Sequence, residues 1–383
     1  MIAHGRKRGM PEVRILMVDL AREWRGGQSQ ALLLLQGLAA RGHAVALLSV
    51  RDSALAHRAA AHNIAVHTVS KAARRVAAAW TLRRLLHTRK FDIVHVNEAH
   101  ALTAAWLARA HRRAPLVIAR RVTFPLSRNR MSLARYRAAD RILAVSHAVR
   151  KELLAAGLDP ARIAVIPDGV EIPQRVSPEE RERARERWRV APEERVLAFV
   201  ASLTAEKGHA LLLDAFAELQ SSAFRDKMPR CRLLLAGDGV LRSSLEQRAQ
   251  ALHISNSTVF AGFVADTRAV YAACDLFLFP SLQEGGGTSL LDAMAYALAV
   301  IAGASGGVEE IVEDRRNGLL LRETTPRSLA AAAVLMLTTP ELGKKLGEAA
   351  RETVATRFSA ETMVTNTLAA FEYSLAQRSP RRV

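Results

Sequence analysis

The stretch SLQEGGGTSLLDAMAYALAVIAGASGG, residues 281–307, places an acidic side chain and three successive glycines directly before a helical pattern. It follows the apolar run DLFLFP, which is typical of a buried strand. Glycines let a backbone approach a ligand closely, and the first amides of a helix are free donors at the positive end of its dipole. The sequence therefore predicts a strand, a turn and a helix from about Thr288 that together bind an anionic or polyhydroxyl ligand.

Two carboxylates flank the start of this helix. Glu284 lies in the glycine turn and Asp292 follows eight positions later, so the two side chains can contact one ligand from separate levels. Carboxylates accept hydrogen bonds from the hydroxyl groups of sugars and riboses. The residues alone leave an alternative open, in which the segment is an ordinary tight turn and Glu284 is simply a carboxylate at a helix terminus.

Short apolar runs alternate with helical patterns along most of the chain. The first half contains VRILMVDL, HAVALLSV, FDIVHV, PLVIAR and RILAVS, and the second half contains RVLAFVASL, CRLLLAGDG, STVFAGFV, DLFLFPS and AVIAG. Strands and helices that alternate in this way predict parallel, doubly wound sheets. We therefore expect an α/β protein with two Rossmann-like domains facing a cleft, because open sheets bind ligands beyond the carboxyl ends of their strands.

The segment IPDGVEIPQ, residues 166–174, interrupts this alternation with two prolines and an Asp-Gly pair. The charged run SPEERERARERWRV follows it and has mixed signs at helical spacing, which is typical of a solvated helix. We therefore predict one domain at residues 1–170, a second at residues 171–355, and a final helix at residues 356–383 that packs back on the first domain.

Length and composition favour a two-domain α/β enzyme. The chain has 383 residues, of which half are hydrophobic, more than one compact core usually holds. Its two cysteines, Cys231 and Cys274, lie in apolar stretches and are interpreted as buried thiols of a protein in a reducing cytosol. No run of about 18 apolar residues is present, and the apolar part of the basic start is too short for a signal-peptide core.

The net charge of +18 is concentrated in the first half. Residues 1–170 contain 29 Lys+Arg against 10 Asp+Glu, whereas the remainder contains 26 against 27. Such an excess fits a polyanion, either nucleic acid, an anionic membrane surface or a phosphorylated acceptor. Aromatic residues make up 5% of the chain and do not cluster, which disfavours nucleic acid.

One basic segment of the first half has the composition of an interfacial helix. In KAARRVAAAWTLRRLLHTRK, residues 71–90, we expect Val76, Trp80 and Leu85 to lie on one helical face surrounded by arginines. The alternative is an ordinary surface helix packed on the core. If the first interpretation holds, the protein attaches to an anionic membrane surface.

Six blocks of the sequence resemble the retaining glycosyltransferases of family 4, which have the GT-B fold. EGGGTSLLDAMAYALAVIAGASGGVEEIVEDRRNGLLL resembles the carboxyl-terminal signature of that family, and VIPDGV resembles its interdomain hinge. WRGGQSQALLLLQGLAARGHAV is similar to its first glycine-rich loop, and FVASLTAEKGHALLLDAF to its phosphate-binding segment. LLLAGDGVLRSSLE and VFAGFVADTRAVYAACDLFLFPS complete the donor half, so the resemblance covers nearly the whole chain.

The resemblance implies roles for the donor half. Glu284 matches the carboxylate that contacts the donor sugar, and Asp292, where the family usually has Glu, matches the one that holds the ribose. Lys207 matches the lysine that neutralises the donor diphosphate, whereas Ser202 replaces its usual arginine partner, and a hydroxyl cannot supply that charge. We expect Glu284 and Lys207 to be catalytic; the expected donor-binding residues are Gly26, Gly27, Ser202, Lys207, Gly237, Gly285, Gly286, Gly287, Thr288 and Asp292.

The first half matches the family less completely. Gly26 and Gly27 match the loop whose amides face the donor phosphates, and Arg25 is a candidate second cation. Many relatives have a histidine after the strand that corresponds to PLVIARRVTFP, where this sequence has Arg120 and Arg121. The acceptor candidates are His95, Glu98 and Arg121.

The resemblance implies transfer of a sugar, with retention, from a nucleotide sugar to a lipid-linked or phosphorylated glycan in lipopolysaccharide or envelope glycan synthesis. The alternatives are a GT-B-type epimerase or phosphorylase and a noncatalytic protein that binds nucleotide sugars. We expect no metal and no cofactor, since the nucleotide sugar is a substrate. The expected location is cytoplasmic, peripheral on the inner face of the cytoplasmic membrane, with no nucleic-acid partner.

Overall fold

A computed structural model describes residues 12–72, 74–127, 129–221 and 228–378. They form two compact units, each with one parallel sheet. The second unit contains Asp168–Thr362 and the short segment Ser146–Ala148, and the first contains the rest, including the chain from Met363 onward.

The first unit contains a seven-stranded sheet with the order β3-β2-β1-β4-β5-β6-β7. All of its strand pairs are parallel, and its central strands are buried apolar runs, as expected for a sheet covered on both faces. The strands are β1 (Arg14–Asp19), β2 (Ala44–Val50), β3 (Ala65–Val69), β4 (Ile93–Val96), β5 (Leu116–Arg120), β6 (Arg141–Ala144) and β7 (Ile163–Val165).

Two helical layers cover this sheet. One layer packs on the core through α3 (Arg74–Thr88), α4 (Ala99–Leu107), α5 (Arg130–Arg137) and α6 (His147–Ala155). The other contains α1 (Gly26–Ala40), α2 (Ala54–Ala61) and, from the end of the chain, α14 (Ala360–Arg378).

The final helix α14 is held in the first unit by both ends of its buried face. Val364 and Phe371 are buried in the core that contains α1. Gly37 of α1 allows a close approach, because a Cβ atom at this position would lie 2.4 Å from Cγ2 of Val364. Near its end, Arg378 donates hydrogen bonds from Nε and Nη2 to the two carboxylate oxygens of Asp140, both at 2.8 Å.

The second unit repeats the same winding with six parallel strands in the order β10-β9-β8-β11-β12-β13. The strands are β8 (Arg195–Val200), β9 (Cys231–Ala236), β10 (Thr258–Gly262), β11 (Leu276–Phe279), β12 (Ala299–Gly303) and β13 (Leu319–Leu321). The helices are α7 (Pro178–Arg187), α8 (His209–Gln220), α9 (Arg242–Ala251), α10 (Arg268–Ala273), α11 (Thr288–Ala295), α12 (Pro326–Thr338) and α13 (Pro340–Arg357).

Each sheet reverses its winding beside its first strand, between β1 and β4 in one unit and between β8 and β11 in the other. Such switch points create a crevice beyond the strand ends, where doubly wound proteins bind ligands. Most of the predicted site residues fall in the segments after these four strands. The exceptions are Gly237 after β9, Arg121 after β5 and His95, which lies within β4.

Candidate functional site

In the second unit, the structure joins two predicted residues that are 77 positions apart in the chain. Nζ of Lys207 lies 2.6 Å from Oε2 of Glu284, and both side chains are largely buried. Lys207 ends a short 3-10 helix after β8, and Glu284 lies in the turn after β11. The switch point of this sheet therefore carries an ammonium group and a carboxylate in direct contact.

The glycine turn continues from this pair into α11. Oε1 of Glu284 accepts a hydrogen bond from the Gly285 amide at 3.2 Å. Gly287 adopts a left-handed conformation, with φ +64°, and precedes Thr288 without a side-chain cap on the helix. Helix α11 therefore begins four residues after Glu284. Because its N-cap residue is a glycine, no N-cap side chain accepts hydrogen bonds from its first amides.

Glycines pack the loops after β8 and β9 against each other. A Cβ atom on Gly237 would lie 1.8 Å from the Ala201 carbonyl oxygen, and one on Gly208 would lie 2.4 Å from that of Pro280. The packing brings the segments after β8, β9 and β11 together. Ser202 lies in this region, and its Oγ is 3.4 Å from Oγ1 of Thr204.

Asp292 lies on α11 in a different environment from Glu284. It is partly buried near the hydroxyl of Tyr271 and the carboxylate of Glu171. Burial, together with the negative charge of Glu171, raises the pKa of Asp292 to about 7. The ribose contact of Asp292 remains a prediction.

In the first unit, the predicted glycine loop begins α1. Arg25 precedes the helix and pairs with Glu23 at 2.5 Å in an exposed position. A Cβ atom on Gly27 would have no neighbour within 4 Å, so packing against the described residues does not require glycine there. The carbonyl oxygen of Gly27 instead accepts a hydrogen bond of 3.0 Å from Nδ2 of Asn97, which follows β4.

The three acceptor candidates lie in different environments. His95 is 1% exposed and packs edge-on against Phe371 at 5.5 Å between ring centroids, and burial lowers its pKa to about 3. Glu98 caps α4 by accepting hydrogen bonds from the amides of His100 and Ala101, and it also accepts one from the amide of Leu20, which follows β1.

These positions argue against acceptor contacts by two of the candidates, because the His95 ring lies in the core and the Glu98 carboxylate is occupied by three backbone amides. Burial and the nearby Asp19 raise the pKa of Glu98. Arg121 is half-buried, and its Nη1 donates to Oδ1 of Asn97 at 2.6 Å, so it is linked through Asn97 to the Gly27 carbonyl.

The basic helix α3 corrects one expectation about its faces. Leu85 is buried in the core, whereas Val76 and Trp80 are 65% and 67% exposed. The reason is helical geometry, since residues four apart differ by about 40° around the axis but residues five apart differ by about 140°. Trp80 shares its exposed face with Val76, Arg83 and Arg84 instead.

Several buried polar residues beside these sites were missed in the sequence. Asp19 is the last residue of β1, Asn97 directly follows β4, and Gln28 lies in the first turn of α1. His209 begins α8 next to Lys207 and packs on Phe199 at 4.9 Å, and burial lowers its pKa to about 4. The available signal was a polar residue at the carboxyl end of an apolar run, as with Asp19 in VRILMVDL.

Comparison with known proteins adds sequence and fold relationships. Residues 24–173 match the family model Glycosyltransferase Family 4, and residues 180–353 match the model Glycosyl transferases group 1. The chain is 32% identical over 184 residues to the putative glycosyltransferase EpsD of Bacillus subtilis, covering 48% of this chain and 47% of EpsD. It is 30% identical over 223 residues to the D-inositol 3-phosphate glycosyltransferase of Segniliparus rotundus, covering 57% and 48%. The chain thus spans about half the length of these curated relatives.

Solved structures share the fold over a longer range. Anabaena HepE in complex with UDP and glucose superposes with a TM-score of 0.81 at 22% identity, covering 94% of this chain and 100% of HepE. This similarity confirms the predicted GT-B fold.

Proposed function

Since the chain belongs to the family 4 glycosyltransferases of GT-B fold, we propose that it transfers a sugar, with retention, from a nucleotide sugar to a lipid-linked or phosphorylated glycan. The observation that carries this proposal is the 2.6 Å contact between Lys207 and Glu284 at the switch point of the second sheet. The contact joins two side chains that the resemblance assigns to the donor, with Lys207 assigned to its diphosphate and Glu284 to its sugar.

The chemistry of such a site is mainly electrostatic. When the anomeric bond breaks, positive charge develops on the sugar and negative charge on the departing diphosphate. In the proposed mechanism, Lys207 and the first amides of α11 stabilise the diphosphate, and Glu284 orients the sugar. The Lys207–Glu284 contact fixes the two side chains relative to each other, which reduces the reorganisation needed in the reaction. The acceptor hydroxyl then attacks the anomeric carbon from the face that the diphosphate leaves, and the departing phosphate oxygen accepts the proton of that hydroxyl.

Two relatives support the proposed substrates by their names. HepE binds UDP and glucose, which supports a nucleotide-sugar donor for this chain. The Segniliparus rotundus relative is named for D-inositol 3-phosphate, a phosphorylated acceptor. A phosphorylated or lipid-linked acceptor also suits the excess of basic residues in the first half of the chain, and we place the reaction in lipopolysaccharide or envelope glycan synthesis.

The proposed location is the cytoplasmic face of an anionic membrane. Trp80 and Val76 project from α3 beside Arg83 and Arg84, so one exposed helix face combines apolar insertion groups with positive charge. None of the helices in the described ranges is both long and apolar enough to cross a membrane.

The test is release of a nucleoside diphosphate by the full-length protein. UDP-glucose, GDP-mannose and ADP-glucose are screened for thermal stabilisation, and the best donor is then incubated with a lipid-linked glycan fraction. We expect diphosphate release to require the acceptor fraction, and Lys207→Ala to lower kcat/KM about 100-fold or more. The variant also leaves the largely buried Glu284 without its partner, so its Tm should fall, and kcat/KM is compared at a temperature where both proteins are folded.

Lys344→Ala is the matched control, because Lys344 is exposed on α13 of the same unit, and it should leave kcat/KM unchanged. Donor turnover without acceptor would support an epimerase or phosphorylase instead. Stabilisation by a donor with no turnover under any condition would support a noncatalytic binding protein.

A further inference from the structure

A buried polar network lies beneath the start of α1 in the first unit. Asp19 is fully buried at the end of β1. Its Oδ1 accepts a hydrogen bond from the Ala21 amide at 2.9 Å, and its Oδ2 accepts from Nε2 of Gln28 at 3.1 Å and from Nδ2 of Asn97 at 2.6 Å. Because a buried carboxylate needs such donors, the network fixes the relative positions of β1, β4 and the first turn of α1.

Asn97 is the residue that connects this network to the glycine loop. Its Oδ1 accepts from Nη1 of Arg121, which fixes the orientation of the amide. Its Nδ2 therefore points to Oδ2 of Asp19 and also to the carbonyl oxygen of Gly27, at 3.0 Å. One side chain thus holds the Gly27 carbonyl, and the space over the α-carbon of Gly27 is open.

We propose that Asn97, oriented by Arg121 and anchored on Asp19, is a positioning residue that holds the Gly27 peptide in place for the donor diphosphate. The inference rests on the proposed function and on the expectation, implied by the family resemblance, that Gly26 and Gly27 bind the donor diphosphate. A backbone amide contributes fully to anion binding only if its peptide is held in the right orientation beforehand. Asn97 supplies that restraint from the side of the carbonyl oxygen.

An exchange of the two side chains separates this role from a contribution to stability. In the double variant Asp19→Asn/Asn97→Asp, the buried carboxylate and amide are still paired, and Arg121 faces a carboxylate. Position 97, however, no longer has a donor for the Gly27 carbonyl. The single variant Asn97→Asp places two carboxylates together and serves as the destabilised reference.

We expect the single variant to lose thermal stability and the double variant to recover most of it. In the double variant, the donor KM and the Kd for the best-bound of UDP, GDP and ADP should nevertheless stay at least tenfold above those of the wild type. Recovery of KM and Kd together with Tm would overturn the proposal, because it would show that Asn97 acts only through stability.

Asn97→Ala covers the case in which the double variant does not fold, since it removes all three hydrogen bonds of the Asn97 side chain without adding charge. The same tenfold rise in Kd is expected for it, and a loss of Tm with unchanged Kd would contradict the positioning role. A wild type that binds a diphosphate but transfers no sugar would refute the proposed function alone, because Kd still reports on Asn97.

Discussion

At the scale of single residues, we expect the carboxylate of Asp292 to contribute to donor binding and to lower the free energy of unfolding at neutral pH. Its pKa of about 7 means that the folded protein binds a proton which the unfolded chain, with an ordinary aspartate, releases near pH 4. The wild type therefore loses stability as the pH rises from about 4 to 7, and Asp292→Asn removes this loss.

We expect the stabilisation by Asp292→Asn to grow by about 2 kcal/mol between pH 5 and pH 8, measured by urea unfolding. The same variant should raise the donor KM about tenfold if the carboxylate binds the ribose. A stabilisation that does not change with pH would show that Asp292 titrates normally. An unchanged KM would remove its predicted role in donor binding.

At the scale of helices and strands, the approach of α14 to α1 makes Gly37 a sensitive position. Alanine normally stabilises a helix relative to glycine by about 1 kcal/mol. Here its Cβ would lie 2.4 Å from Cγ2 of Val364, so we expect Gly37→Ala to destabilise the protein by about 1–3 kcal/mol through overpacking. Val364→Ala in the same chain should restore part of the loss, as measured by thermal unfolding.

Gly343 on α13 provides the control for this prediction. A Cβ atom there would lie 3.7 Å from its nearest neighbour, which is ordinary contact. Gly343→Ala should therefore raise Tm. If Gly37→Ala also raises Tm, the helices do not approach each other as closely as the structure shows.

At the scale of the whole molecule, the uneven distribution of charge predicts that the first unit, rather than the second, binds anionic membranes. A basic residue at an anionic surface contributes about 1 kcal/mol, and salt screens this attraction within about 8–10 Å. We expect binding to vesicles with anionic phospholipid to weaken steeply with salt. Trp80→Ser combined with Arg83→Glu and Arg84→Glu should abolish most binding while donor affinity is retained.

The control makes the same charge change in the second unit, with Arg316→Glu and Arg322→Glu at two exposed positions. Vesicle binding by this control should fall far less than that of the α3 variant. Equal losses would show that net charge, rather than the face of α3, determines adsorption, and the peripheral-membrane proposal would then lose its structural basis.

Most of the fold, but only part of the site, could be predicted from the sequence. Buried parallel strands are continuous apolar runs, so local patterns predict both sheets, and this prediction is confirmed. Lys207 and Glu284 lie in recognisable sequence motifs. The contact between their side chains, however, depends on β8 and β11 being neighbours in the sheet. Asp19 and Asn97 were missed because, in the sequence, a polar residue at or just after the end of a strand cannot be told from an ordinary loop residue. Their contact exists only because β1 and β4 are neighbours in the sheet.

The return of the chain to the first unit at Met363 has a consequence for building hybrid proteins. In topological terms, most of the second unit is an insertion into the first. The chain leaves the first unit after Pro167, returns to it after Thr362 and there completes the last helix, α14. An exchange of donor specificity between related enzymes should therefore transplant residues 168–362 as a cassette and keep both flanks from one parent. A simple fusion of the amino-terminal half of one parent to the carboxyl-terminal half of another would instead pack the last helix of one parent, which carries Phe371 in this chain, on the first unit of the other.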